Sequence, residues 1–259
     1  MAGQRGGFFS GLPIVTKNLI IINILIWLVE AIFPRFGING IIHHLGLHYF
    51  GATHFNPAQL LTYMFVHDQA SIMHVFFNML TLFFFGPWLE KVWGSRRFLF
   101  FYFVCGVGAA LIQEGVWALT WKNDFIEGLA SANGMTFDQM RQIVEKGIGN
   151  HGSNVYQFMV DFQNNAMVTV GASGAIFGIL LGFAFLFPNQ PMYLFFVPIP
   201  IKAKYMVIGY GIIEFFAGVT HTMNNVAHFA HLGGMIFGLI LLFYWKKKGT
   251  LYGSHGNSF

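Results

Sequence analysis

A serine and a histidine in two separate apolar stretches have the residue types and surroundings needed for nucleophilic catalysis. Ser173 lies among small residues in Gly171-Ala172-Ser173-Gly174, and His231 lies in Ala230-His231-Leu232-Gly233-Gly234. A serine hydroxyl becomes a useful nucleophile when a neighbouring base takes its proton, and neutral imidazole suits that role. For an isolated serine in an apolar helix, close helix packing is the simpler explanation. The catalytic interpretation therefore depends on whether Ser173 and His231 meet.

The two residues lie at equal distances from the ends of their apolar stretches. One stretch ends at Phe187, before a proline that cannot continue a helix, and the other ends at Trp245, before three lysines. Ser173 and Phe187 are fourteen residues apart, as are His231 and Trp245, and this separation spans about 21 Å of helix. Because a bilayer core is about 30 Å thick, both side chains are predicted partway into the lipid.

The start of a helix at that depth would itself favour acyl transfer chemistry. The first N–H groups of a helix have no intrahelical partner, and the positive end of the helix dipole adds to their field. Those groups stabilise the oxyanion that forms when a serine attacks a carbonyl. His74 and Asn78 lie four residues apart in another apolar stretch and so share one helix face. Both can donate hydrogen bonds to the same oxyanion, although such residues also serve as polar contacts between helices.

Two further polar residues in the apolar stretches have alternative interpretations. His228 and His231 form an H-x-x-H pair that could bind zinc, but catalytic zinc usually needs a third protein ligand, and no H-E-x-x-H occurs. We therefore expect no metal and no other cofactor. His228 lies one turn closer to the outer surface, where solvation would account for it. Glu214 is interpreted as a hydrogen-bonded or protonated structural group.

The composition indicates a protein that is solvated largely by lipid. Hydrophobic residues make up 55% of the 259 residues and charged residues 9%, against about 25% charged residues in soluble domains. The single cysteine, Cys105, lies in an apolar run and predicts a buried small side chain without a disulfide. The basic residues do not cluster on one soluble face, so a nucleic-acid partner is not expected.

Six apolar stretches predict six membrane-spanning helices, at about 18–33, 71–89, 97–120, 173–187, 202–219 and 226–245. No small-residue cleavage site follows the first stretch, so it is interpreted as a retained span. Six spans divide the fourteen Lys and Arg residues unequally between the two sides. Ten lie on one side: Arg5, Lys17, Lys91, Arg96, Arg97, Lys202, Lys204, Lys246, Lys247 and Lys248. The other four are Arg35, Lys122, Arg141 and Lys146. The positive-inside rule then predicts that both termini are cytoplasmic.

The domain organisation follows from these spans. Residues 1–17 are predicted to form a cytoplasmic N-terminal segment, residues 18–245 the membrane domain, and residues 246–259 a cytoplasmic tail. Residues 121–166 are interpreted as a polar extracytoplasmic insertion. Within it, Thr136-Phe137-Asp138-Gln139 predicts the capped start of an amphipathic helix.

Five short motifs appear in order along the chain. The first three are Phe55 to His67, His74-Val75-Phe76-Phe77-Asn78, and Glu90-Lys91-Val92-Trp93-Gly94-Ser95. The last two are Gly171-Ala172-Ser173-Gly174 and Ala230-His231-Leu232-Gly233-Gly234 with Gly238. Each motif is weak alone, but in this order the set resembles the rhomboid family of intramembrane serine proteases. The resemblance covers Asn18 to Lys248, apart from the insertion.

The resemblance implies an all-α membrane protein with a six-transmembrane-helix rhomboid-like bundle. It implies that Ser173 is the nucleophile and His231 the base, in a dyad without aspartate, and that His74, Asn78 and Ser173 form the oxyanion hole. The glycines three and seven residues after His231 select it over His228. Family members cut transmembrane proteins in the lipid bilayer without ATP or metal. His67 precedes His74 by seven residues where five is commoner, and Phe177 stands where tyrosine is frequent but can still pack on His231.

Three other functions would account for parts of this pattern. One is a catalytically inactive rhomboid-like protein that binds membrane proteins, although such a protein would normally lack Ser173 or His231. A small proton- or ion-coupled transporter could use His74, His231 and Glu214, but no inverted repeat is evident. The third is a membrane metalloenzyme, which chelators would inactivate. The protein is expected in a membrane as a multi-pass protein, and a bacterial inner membrane is the favoured location.

Overall fold

The computed structural model describes residues 11–32, 40–194, 197–220 and 227–252, and these residues are mostly helical. The long helices are α1 (Ile14–Ile32), α4 (Ile72–Trp93), α5 (Ser95–Asn133), α8 (Ser173–Leu186), α9 (Ala203–Val219) and α10 (His228–Lys247). The shorter helices are α2 (Ile41–Leu45), α3 (Gln59–Thr62), α6 (Phe137–Ile148) and α7 (Asn154–Asn165). A 3-10 turn covers Tyr63–Phe65. Two antiparallel strand pairs complete the description: β1 (Leu47–His48) with β2 (Val168–Thr169), and β3 (Pro191–Leu194) with β4 (Val197–Lys202).

Each of the six predicted spans coincides with a helix, but these helices differ in length. Among the described residues, α1, α4, α5 and α10 are long and apolar enough to cross a membrane. Helix α8 has 14 residues and α9 has 17. The described part of the chain is thus mostly helical with four candidate spans, and the count of six remains a prediction.

The bounds of several helices differ from those predicted. Helix α1 begins at Ile14, before the predicted start near residue 18, and α10 continues to Lys247. Helix α5 continues to Asn133, because no proline interrupts it and Gly134, with φ 62°, supplies the left-handed residue that ends it. The predicted insertion at 121–166 therefore begins inside α5. Arg5, Pro34, Arg35 and Val226, which entered the span and charge predictions, lie outside the described residues.

Glu90 joins the beginning of α1 to the end of α4. The Glu90 carboxylate accepts the backbone N–H groups of Val15 and Thr16 at 2.9 and 2.8 Å, and the Thr16 hydroxyl at 2.8 Å. Ser95 donates to the same carboxylate at 2.7 Å. Since the first N–H groups of a helix need an acceptor, the glutamate of the Glu90–Ser95 motif caps a helix other than its own.

Several basic residues of the long helices lie at one end of the bundle, whereas Lys122 of α5 pairs with Glu145 in the insertion, with 3.7 Å between its Nζ and the carboxylate oxygen. Arg97, at the start of α5, lies over the ring of Trp245 near the end of α10, with 4.1 Å between its guanidinium carbon and the ring centroid. Trp93, at the end of α4, donates its indole N–H to Leu251 at 2.8 Å. We define the basic end as the end that contains Arg97, Trp245 and Leu251. Because α10 ends at the basic end, its start lies at the opposite end of the bundle. The start of α8 lies beside the start of α10, since Ser173 contacts His231.

Helices α8 and α10 approach each other so closely that a side chain cannot fit between their backbones. A Cβ added at Gly234 of α10 would overlap the carbonyl oxygen of Gly174 on α8, and one added at Gly178 of α8 would lie 3.1 Å from the carbonyl oxygen of Gly234 and would overlap Cys105 of α5. Cys105 is fully buried, as the sequence predicted. Glycine at these positions allows backbone contact between the helix that carries Ser173 and the helix that carries His231.

The insertion has a small apolar core of its own. Phe125, Ile126 and Ala130 of α5 pack with Met140 and Val144 of α6. The predicted cap of α6 is confirmed, because the Thr136 side chain accepts the Gln139 backbone N–H while the Gln139 side chain accepts that of Thr136.

Large apolar side chains cover much of the outer surface of the bundle. Ile14 and Ile240 are each 60% exposed, and Phe84 is 56% exposed. A continuous outward-facing apolar surface on long helices requires lipid around it, so the fold is that of an integral membrane protein.

Candidate active site

Ser173 is the first residue of α8, at the end of the bundle opposite the basic end. The preceding residue, Ala172, provides no side-chain cap for the helix. The first backbone N–H groups of α8 therefore lack both an intrahelical acceptor and a side-chain acceptor at the cap. They lie beside the Ser173 hydroxyl, where an oxyanion would form.

Ser173 and His231 meet. The distance between Ser173 Oγ and His231 Nε2 is 2.8 Å, although 58 residues separate them in the chain. Ser173 is partly buried, and His231 is 8% exposed. This distance is that of a hydrogen bond, and a serine nucleophile requires a base within such a distance.

The ring of Phe177 holds the imidazole of His231 from one side. The two rings are stacked, with centroids 4.3 Å apart and 6° between their planes. Phe177 lies one turn after Ser173 on α8, so the helix that presents the hydroxyl also orients the ring. The predicted packing of Phe177 on His231 is confirmed.

Gly171 shapes the backbone that enters the site. Its φ of 121° is one that residues with a side chain rarely adopt. Its N–H donates to the carbonyl of Tyr63 at 2.9 Å, and a Cβ at this position would lie 2.7 Å from His74 Nε2. Glycine is therefore required both for the turn and for the close approach of His74.

The two predicted oxyanion donors lie on α4. His74 contacts Gly171 and is partly buried, so the structure brings it to the loop that carries Ser173. Asn78, one turn further along α4, is 6% exposed, and its amide Nδ2 has no hydrogen-bond partner among the residues that the structure describes. A buried amide donor without a protein acceptor is free to bind a ligand oxygen.

His67 lies directly behind His74. Its side chain is fully buried, and the two ring centroids are 5.2 Å apart. His67 precedes α4 and is outside the long helices. Burial, together with the nearby His74, lowers the pKa of His67 to about 3, so its ring is neutral at physiological pH.

Glu214 of α9 is a residue of this site that the sequence analysis did not place there. Its carboxylate oxygen Oε2 lies 2.7 Å from His228 Nδ1 and 3.0 Å from His231 Nδ1. The sequence shows the neighbours of Glu214 along α9 but not the residues that pack against it. An acidic residue inside an apolar helix was the available signal, because such a residue usually faces a functional partner.

The interpretation of His228 as a solvated residue was wrong. His228 is 6% exposed, because the start of α10 packs against α9 and Glu214 accepts its N–H. The ligand atoms of Glu214, His228 and His231 lie within 4.8 Å of one another, a spacing that one metal ion could bridge. The third ligand that the sequence analysis found missing is thus available, although His231 Nε2 is directed at Ser173.

The chain was compared with known proteins. A family model described as Rhomboid domain matches residues 54–131 and 136–248. No curated protein matches the chain. The matched residues include the ones discussed above, from His67 to His231.

Proposed function

Since this chain belongs to the rhomboid family, we propose that it is an intramembrane serine endopeptidase that hydrolyses peptide bonds in or near the transmembrane segments of membrane proteins. The observation that carries the proposal is the 2.8 Å contact between Ser173 Oγ and His231 Nε2. A family resemblance alone would not separate a protease from an inactive relative, whereas a serine paired with a base is what nucleophilic catalysis requires.

Acylation proceeds by attack of Ser173 Oγ on the scissile carbonyl while His231 Nε2 takes the hydroxyl proton. The carbonyl oxygen becomes an oxyanion, which accepts hydrogen bonds from the N–H groups at the start of α8 and from His74 and Asn78. The intermediate collapses, the C–N bond breaks, and His231 returns the proton to the leaving amine. The Ser173 ester is then hydrolysed by water, which His231 activates in the same way.

The membrane arrangement is part of the proposal. Six crossings with both termini in the cytoplasm would place residues 1–17 and 246–259 on the cytoplasmic side and the site toward the outer face. The polar insertion at about 121–166 would then be extracytoplasmic. Membrane-embedded proteins are the proposed substrates, and a bacterial inner membrane is the proposed location.

A fluorophosphonate probe tests the proposal directly. In detergent, the wild type is expected to cleave a transmembrane substrate and to be labelled at Ser173, whereas Ser173→Ala and His231→Ala lose cleavage and labelling by about three orders of magnitude or more. His151→Ala is the matched control, because His151 is exposed and stacks on Tyr156 in the insertion, with 4.4 Å between the ring centroids.

The readout is the mass of the labelled peptide together with the fragments of the substrate. A folded wild type that neither cleaves nor reacts would contradict the proposal and identify an inactive binding protein. Full activity in His231→Ala would contradict the assignment of the base.

A further inference from the structure

Glu214 lies on α9, and the residues next to it in the sequence direct their side chains outward. Ile213, Phe215 and Phe216 are 58%, 50% and 60% exposed, whereas the Glu214 side chain is 13% exposed. Helix α9 thus directs its carboxylate inward, toward the first turn of α10. A carboxylate withdrawn from water needs donors close by, and the two donors present there are imidazoles.

One oxygen of Glu214 faces both histidines. Oε2 accepts a hydrogen bond from His228 Nδ1 at 2.7 Å and lies 3.0 Å from His231 Nδ1. The Nδ1 of His231 is buried, and its alignment with Oε2 falls short of a hydrogen bond. The 3.0 Å distance is already that of a hydrogen bond, and catalytic hydrogen bonds commonly tighten when substrate binds.

The opposite nitrogen of the same imidazole faces Ser173. Nε2 lies 2.8 Å from Ser173 Oγ, so the imidazole stands between a hydroxyl and a carboxylate. To accept the serine proton at Nε2, neutral His231 must carry its own proton on Nδ1. An acceptor beside Nδ1 favours that tautomer, and a negative charge there stabilises the imidazolium that forms during attack.

We propose that Glu214 is a positioning residue that completes a Ser173–His231–Glu214 triad, with His228 holding the carboxylate in place. The inference rests on the proposed protease function and adds a third member to the expected dyad. During acylation, the serine proton moves from Oγ to Nε2 and later from Nε2 to the leaving amine. The Nδ1 proton remains on His231 throughout, and Glu214 accepts it only as a hydrogen bond. No proton is transferred to the carboxylate.

Two variants separate the charge of Glu214 from its shape, and a third serves as a control. Glu214→Gln keeps the size and removes the charge, and Glu214→Asp keeps the charge on a shorter side chain. The matched control is Glu114→Gln, which makes the same change at a buried glutamate of α5 whose carboxylate accepts the Phe50 N–H at 2.9 Å. Each variant is purified in detergent, and its folding is checked by thermal unfolding.

Two rates are measured for each variant: labelling by a small fluorophosphonate, and cleavage of a transmembrane substrate with kcat and KM determined separately. A triad predicts that Glu214→Gln lowers the labelling rate and kcat by the same factor, about 10-fold to 1,000-fold. KM changes little, because the carboxylate does not touch the substrate. Glu214→Asp recovers part of the loss, and Glu114→Gln reacts like the wild type. His228→Gln is slower than wild type but faster than Glu214→Gln, since it loosens the carboxylate without removing it.

Other roles for Glu214 give different results, and each would overturn the inference. If Glu214 only holds α9 against α10, Glu214→Gln alters KM for the transmembrane substrate while the small probe reacts at the wild-type rate. If Glu214, His228 and His231 bind a metal, a chelator abolishes wild-type activity and added zinc restores it. A wild type that is never labelled overturns the protease function itself and the triad with it. If the wild type is labelled and Glu214→Gln is labelled at the same rate, the triad is overturned but the protease function is not.

A spectroscopic measurement on the wild type does not depend on the folding of Glu214→Gln. In protein labelled with ¹⁵N-histidine, the triad predicts a His231 ring with its proton on Nδ1 and a strongly downfield N–H proton resonance. The signal is assigned by its loss in His231→Gln. A His231 ring protonated on Nε2 in the resting protein would contradict the proposal.

Discussion

Several polar side chains of the site contact groups that other parts of the chain supply. His231 has Phe177 stacked on its ring and Ser173 at Nε2, and His228 has Glu214. Asn78 and His67 are buried beside them. Because polar groups lose hydration when they are buried, such a cluster persists only where its members satisfy one another or await a ligand. Substitutions of these residues are therefore expected to change both stability and reactivity.

Burial of His67 predicts a pH dependence of stability. Its pKa is about 3 in the folded protein and about 6.5 in an unfolded chain. Between these values the unfolded state binds the additional proton, so stability falls as the pH is lowered through that window, by at most about 1.4 kcal/mol per pH unit. His67→Gln removes this contribution, and its unfolding temperature is expected to fall less between pH 7.5 and pH 5.

Thermal unfolding in detergent at the two pH values measures the effect. His44→Gln serves as the control, because His44 is an exposed histidine on α2. An equal loss of unfolding temperature in the wild type and His67→Gln would show that His67 is protonated in the folded protein.

Contacts at the ends of the helices and at their glycine residues fix how the helices are arranged. Glu90 caps α1 from α4, and Thr136 caps α6 from within the insertion. Between α8 and α10, Gly174 and Gly234 remove the side chains that would separate the backbones. Because Ser173 lies next to Gly174 and His231 lies one turn before Gly234, the distance between the Ser173 hydroxyl and the His231 imidazole depends on this backbone contact.

Substitution of Gly234 by alanine should therefore separate α8 from α10. The added Cβ would overlap the Gly174 carbonyl oxygen, and backbone cannot move aside as a flexible side chain does. We expect a loss of about 1–3 kcal/mol in the free energy of unfolding, together with slower fluorophosphonate labelling of Ser173.

The matched control is Gly115→Ala on α5, where an added Cβ would meet nothing within 4 Å. This change is expected to leave labelling unaffected and to preserve or slightly raise stability, because alanine favours the helix. A Gly234→Ala protein as stable and as reactive as Gly115→Ala would mean that the two helices can move apart without cost.

The two ends of the bundle differ in the residues that they carry. The site, the β1–β2 pair and the insertion lie toward one end, and the basic residues Arg97 and Lys248 lie toward the other. In a membrane, lipid is expected to contact the apolar surface between the two ends. The positive-inside rule predicts that the basic end faces the cytoplasm.

Thiol labelling in intact cells tests this orientation. Cys105 is fully buried, so it should contribute little background to single-cysteine substitutions at the surface. A membrane-impermeant thiol reagent is expected to label His151→Cys in intact cells, but to label Lys248→Cys only after permeabilisation. Tyr193→Cys, in the β3 strand after α8, should behave like Lys248→Cys if α8 crosses the bilayer despite its 14 residues. Labelling of Tyr193→Cys in intact cells would contradict the six-span arrangement.

Local rules in the sequence determined much of the molecule. Apolar runs with polar or proline ends located each long helix to within a few residues, apart from the continuation of α5 to Asn133. The S/T-x-x-Q pattern located the cap at Thr136. The residues Ser173, His231, His74 and Asn78 could be selected because each interrupts an apolar helix, where a polar side chain is costly unless it has a use.

Only the tertiary structure decided which of these residues meet. The position of Glu214 in α9 indicates a buried carboxylate, but its contact with His228 and His231 depends on how α9 packs against the start of α10. The burial of His228 depends on the same packing. Helical periodicity specifies the face on which a residue lies but not the neighbour that covers that face. The neighbour is selected by the combined packing of all the helices, and this information is absent from any single segment.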